Sequence, residues 1–168
     1  MSFGLMAIRL SKAIMTGGLA FWALLVTLGN ILDYDSNLTF VQHVLAMDTV
    51  FAETTLKGRA VTDPALHTAA FAIIIVTEGL VGLAFLIATV AMTASLTAGA
   101  EAFRRAKAWT AVGVALGFAL WFIGFLGVGS EWFVMWQSST WNAQDTSFRI
   151  VLTVIGVGIY VLMDNDGA

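Results

Sequence analysis

Few side chains in this sequence invite metal or proton chemistry. His43 and Asp48 occur in TFVQHVLAMDTVF, Thr39 to Phe51; His67 stands at the start of a long apolar run, and Glu78 lies deep inside it, in IIIVTEGLVG. Two neutral imidazoles suffice for one bis-histidine haem b, which makes His43 and His67 the haem candidates. On one continuous helix His43 and Asp48 stand about 140° apart, so the spacing predicts separate faces. His67 and Glu78 are about three turns apart and share a face with Phe71, Ile74, Gly82 and Phe85, the carboxylate about 16 Å deeper. A histidine above a carboxylate could line a proton or ligand path. The simpler reading is that Glu78 hydrogen-bonds Asn30 or the Arg149 guanidinium and fixes helix register, because an ionisable group inside a membrane must be neutral or paired.

Other chemistry finds little support. No GxSxG elbow, HExxH pair, Walker loop or Rossmann glycine pattern occurs. Zero cysteines exclude disulfides, thiolate metal sites and cysteine nucleophiles. Asp33 and Asp35 form too common a pattern to mark a cation site. We therefore assign no catalytic residue and no metal site, and an enzyme is not the expectation.

The elements that position these residues follow from composition. Of 168 residues, 59% are hydrophobic and 11% charged, with a mean hydropathy of +0.88, against about 25% charged in soluble domains. This is the composition of an integral membrane protein. Eight Lys+Arg against eleven Asp+Glu, with no basic block, argue against nucleic-acid binding. A bilayer core needs about 20 apolar residues per helix, and four runs qualify, at about 13–32, 66–96, 109–128 and 148–163. The first lacks the small-residue cleavage site of a secretory signal and is expected to be retained. With no repeat or linker, residues 1–168 read as a single transmembrane domain with outer loops at about 33–65 and 129–147.

Arg9, Lys12, Arg104, Arg105 and Lys107 fall on one side of that map, and Lys57, Arg59 and Arg149 on the other. The excess predicts cytoplasmic N- and C-termini for a multi-pass protein of the bacterial inner membrane. Small residues let membrane helices approach closely. Gly17, Gly18, Gly79, Gly82, Gly113, Gly117, Gly156 and Gly158 supply them in every span, mainly to pack the chain's own bundle.

Between the first two spans, Phe40, Val41, Val44, Leu45, Met47 and Phe51 fall on one arc of a helical wheel. TFVQHVLAMDTVF is therefore expected to form an amphipathic helix in the outer interface. Asp48 then falls amid the apolar arc and must end the helix, cap a new turn, or meet a donor such as Arg59. In the second outer loop Glu131, Trp132, Trp136, Gln137, Trp141 and Asn142 combine aromatic rings with polar groups. An aromatic belt at headgroup level explains the rings; a surface for a partner or flat ligand would explain the amides as well. Together with His43, Asp48, Arg59 and His67, these residues are the expected outer-face surface.

FVQHVLAMDTVF, RAVTDPALH, IVTEGL and GSEWFVMWQSSTWN, in this order, resemble a family of predicted small bacterial integral membrane proteins catalogued as a domain of unknown function. The resemblance implies an all-α bundle of four transmembrane helices, with distinctive residues on the outer face and at Glu78. It carries over no catalytic residue. The expected function is a non-catalytic accessory or stabilising subunit of a larger membrane complex, including an electron-transfer complex, in contact with lipids and other integral subunits. The alternatives are a redox module binding haem b or quinone, and a small proton-coupled transporter built on Glu78.

Overall fold

The computed structural model describes residues 2–167. Its elements are helical: α1 (Phe3–Leu32), α2 (Tyr34–Ala46), α3 (Pro64–Ala94), α4 (Ala100–Ala106), α5 (Ala108–Phe118, continuing as a π-helix over Ala119–Trp132) and α6 (Gln144–Leu162). Short 3-10 turns lie at Thr55–Arg59 and Met135–Gln137. Four helical stretches are long and apolar enough to cross a membrane: Phe3–Leu32, Pro64–Ala94, Ala100–Trp132 and Gln144–Leu162. Their outward faces carry exposed Phe21, Val76, Val90, Ile123 and Ile159. Such a surface is stable against lipid rather than water.

Local chemistry sets the helix starts. Ser2 accepts a hydrogen bond from Leu5 N at the head of α1. Asp63 Oδ1 accepts from Ala65 N at 2.8 Å, and Pro64, which has no N–H to lose, occupies the first position of α3. α1 begins at Phe3, well before Ala13, because nothing between Ser2 and Lys12 interrupts a helix. Arg9 and Lys12 are thereby carried into the first span.

α1 packs along α3, α3 also against α5, and α5 against α6, while α1 meets α6 only sparingly. The central core joins Leu19 and Ala23 of α1, Val81 and Phe85 of α3, Trp121, and Val151 and Val154 of α6. Five glycines allow close approach in this packing. A Cβ on Gly113 would stand 2.7 Å from the Phe85 ring, one on Gly82 at the same distance from Leu24, and one on Gly158 2.6 Å from Val114; Gly17 and Gly117 are nearly as tight. Gly79 has ordinary room, and Gly18 and Gly156 face open space. The third span changes winding at Ala119 and continues to Trp132 with wide π-type turns, uncommon over such a length.

At the end where α1 begins, charges expected in loops are buried. Lys12, Lys107, Arg9 and Asp166 are each at most 3% exposed. Lys12 Nζ lies 2.9 Å from Asp166 Oδ1, and Lys107 Nζ 2.9 Å from Oδ2. Both ammonium groups also donate to the Met163 carbonyl, at 2.6 and 3.0 Å. Arg9 donates to the carbonyls of Leu96, Ala98 and Asp166 and lies 4.8 Å above the Phe103 ring. The cations thus meet carbonyls just past the C-terminal ends of α3 and α6, where backbone acceptors are unsatisfied and the helix dipole favours positive charge.

Burial alone would raise the Asp166 carboxyl, but hydrogen bonds and charge from Lys12 and Lys107 outweigh it and hold the group below the usual carboxylate range. A depressed acid contributes stability above its unfolded value, about 3.9, and loses it as pH falls through the folded value. Asp166→Asn should cost about 3–5 kcal/mol at pH 7, the usual effect of removing one partner from a buried ion cluster. The gap between wild type and variant should persist from pH 8 to about 5 and close only below about pH 4. Unfolding in detergent across that range measures it; a gap independent of pH would contradict the pairing.

Candidate functional site

Glu78 sits midway along α3 on its buried face, with His67, Phe71, Gly82 and Phe85. Its Oε2 accepts from Asn30 Nδ2 of α1 at 2.6 Å. Arg149 is not its partner: it lies exposed on α6, beside a groove between α1 and α6. The α1–α3 contact brings Asn30 to the acid because the two helices run antiparallel with Gly79 and Gly82 at their interface. Glu78 lines a cavity of about 340 Å³ whose walls include Trp22, Trp121 and Phe125. The Trp22 and Trp121 ring centres are 5.3 Å apart. His67 does not reach down toward the acid; its Nε2 lies 2.7 Å from the Val61 carbonyl at the head of α3. That nitrogen is the one a haem iron would ordinarily take, and the backbone already occupies it.

The outer stretch departs from the helical-wheel expectation. α2 spans Tyr34–Ala46 instead of Thr39–Phe51, and the chain reverses at Met47, whose φ of 51° is left-handed. The reversal folds Asp48 back, so that its Oδ2 lies 2.7 Å from His43 Nδ1. The wheel argument failed because it assumed an unbroken helix through both residues. His43 also stacks on Trp141, with ring centres 4.5 Å apart and planes 10° from parallel. Trp141 is thus a packed ring of this layer, touching Phe40 as well.

Arg59, a suggested donor to Asp48, turns elsewhere: it lies 4.5 Å above the Trp132 ring and donates to the Trp132 carbonyl. Trp132 and Trp136 remain half-exposed, the latter edge-on to Phe51. Gln137 Oε1 accepts from Phe51 N, and Asn142 Oδ1 from Gln144 N, so both amides brace the chain itself. Glu131 is exposed. Ser138, which the sequence did not single out, is the buried junction: its Oγ accepts from Thr49 Oγ1 and from the backbone N–H groups of Thr140 and Trp141. Beneath it Met47 and Val134, both left-handed, pack with Val44, Phe133 and Met135. A β-branched residue at positive φ costs of order 1–3 kcal/mol, sustained here by burial.

The fold of four candidate membrane spans agrees with one comparison. The family described as "predicted small integral membrane protein (DUF2165)" matches residues 8–164. The chain belongs to that family. It is accordingly a small integral membrane protein, its outward helix faces in contact with lipid. No characterised protein and no solved structure gives a significant match.

Chemically, the outer layer of this family member is occupied with its own architecture, whereas the cavity at Glu78 retains open volume. Among the described residues no three His, Asp or Glu side chains converge as a metal site would require. Truncating Trp141 to Ala should therefore cost about 3 kcal/mol through lost packing. Asp48→Ala, which breaks only an exposed pair, should cost less than about 1 kcal/mol. Denaturant unfolding in detergent compares the two; equal losses would mean the ion pair rather than the ring organises the layer.

Proposed function

We propose that this chain is a non-catalytic accessory subunit that stabilises a larger complex in the bacterial inner membrane. In this reading it is a single domain, with its basic end and both termini toward the cytoplasm, where lysine and arginine accumulate. α2 and the Trp132–Trp136 surface then lie in the opposite interface, at the depth aromatic residues favour.

The observation that carries the reading is the groove between α1 and α6. It runs from Met15 and Gly18 to Trp22 on one side and along Thr153, Val154 and Val157 on the other, enclosing about 430 Å³. A Cβ on Gly18 would touch nothing, whereas its neighbour Gly17 is packed tightly against Thr89. Membrane helices associate where small residues permit close approach. A second helix laid along α1 would meet Gly18 at its centre and Arg149 at its edge. Among the described residues the Arg149 guanidinium has no side-chain partner, which favours a neighbour that offers an acid or a carbonyl near the start of α6.

The carrier alternative draws less support, because no ionisable side chain besides Glu78 lines its cavity, and a proton path needs a relay. Haem is disfavoured by the engaged Nε2 of His67. Native gel electrophoresis of membranes solubilised in mild detergent, with the chain at its native expression level, tests the subunit reading. The chain should migrate with an assembly several times its own 17.9 kDa. Migration as a lone monomer under conditions that preserve other membrane complexes would overturn it.

A further inference from the structure

Asn30 engages only one oxygen of Glu78. Oε1 has no hydrogen-bond donor among the described residues, although the side chain as a whole is 3% exposed. That oxygen is not walled in by protein but opens onto the adjoining space, where an occupant can complete its hydrogen bonding. What lies beside it is the cavity of about 340 Å³, which also takes in Ser147, a buried residue of α6. Planar side chains, Trp22, Trp121 and Phe125, line that space.

A second cavity, of about 410 Å³, adjoins the first, and Phe40, Val41, Ile74 and Phe125 line both. Its lining is almost wholly apolar and is built partly by the π-wound segment at Leu120, Gly124 and Val128. π-Type winding inside a helix often accompanies a binding site. Each cavity falls within the roughly 300–1,000 Å³ typical of small-molecule sites. Together they pair an aromatic-walled chamber that holds a carboxyl and two asparagines with an almost wholly apolar one.

We propose that the two cavities hold a lipid-soluble ring compound of the quinone or quinol class, its ring oxygen at Glu78 and its apolar tail in the second chamber. A carboxyl group can donate to a carbonyl or, once ionised, accept from a hydroxyl, so one residue serves either form of the head. Flat indole and phenyl walls suit a ring better than a linear chain. A phospholipid head is disfavoured, because neither cavity presents a Lys or Arg to its phosphate. Haem is disfavoured too, since neither histidine lines them. Binding alone is proposed, independently of the accessory role.

The test is titration of the full-length purified protein in nanodiscs with decylubiquinone, read as quenching of tryptophan fluorescence, since Trp22 and Trp121 stand in the wall. Saturable quenching is expected, with half-saturation shifted upward about tenfold in Glu78→Leu, the loss of one hydrogen bond to a carboxyl group. The amplitude should fall in Trp22→Phe, while 1-decanol, which has the tail without the ring, should not displace the quinone. Ile74→Trp, which fills the partition between the chambers and leaves the carboxylate in place, should weaken binding in the same direction and serves if Glu78→Leu does not fold. Linear quenching common to wild type and variants would mean simple partition into lipid and would overturn the proposal. Equal displacement by 1-decanol would overturn it as well, since the site would then be an apolar void that takes any chain.

Discussion

A single buried carboxylate, Asp166, ties the four spans together at one end. It receives Lys12 from α1 and Lys107 from the junction of α4 and α5, and it belongs to the segment that follows α6. Arg9 extends the same cluster to the carbonyls beyond α3. Three cations against Asp166 and the exposed Asp164 would be untenable in a low-dielectric setting without further acceptors. The backbone carbonyls of Leu96, Ala98, Met163 and Asp166 supply them. Removing the carboxylate would leave cations buried together, which is why the cluster is all-or-none in character.

Fixing the helices at that end permits them to separate farther along. α1 holds closely to α3 through Gly17 and Gly82, and α5 to its neighbours through Gly113 and Gly158. Among the described residues no glycine contact draws α1 to α6, which meet chiefly through the 2.6 Å hydrogen bond between the Ser11 and Tyr160 hydroxyls and the shared core around Leu19 and Val154. The open space between these two becomes the groove at Gly18, and the space farther along becomes the chamber at Glu78. At the opposite end α2, the reversal at Met47 and the Ser138 junction cover the bundle with a layer whose polar groups bond one another.

Much of this was legible in the sequence, and the exceptions have physical causes. Four apolar runs sufficed for the membrane class and the all-helical bundle, because a bilayer admits few alternatives. The buried face of α3 followed from helical spacing, and the cost of a lone acid left Asn30 or Arg149 as the partner of Glu78, of which Asn30 holds it. By contrast, Arg9, Lys12 and Lys107 read as loop charges, because their acceptors are backbone carbonyls that leave no mark in side-chain type. Their acid, in MDNDG, lies far away in sequence. His43 and Asp48 were placed on separate faces because a left-handed methionine cannot be foreseen: only burial of Met47 beside Val134 sustains it. The cavity walls depend on the π-winding after Ala119, which no periodicity announces.

The central claim, that a partner helix occupies the α1–α6 groove, is tested most directly by position. A photo-reactive residue placed in turn at Gly18 and Thr153, in the groove, and at Leu83 and Val90, on the exposed face of α3, can be activated in native membranes. Gly18 and Thr153 should each give one discrete protein adduct of the same size, and Leu83 and Val90 should give none. The same adducts from all four positions, or lipid adducts alone from the groove, would contradict the account.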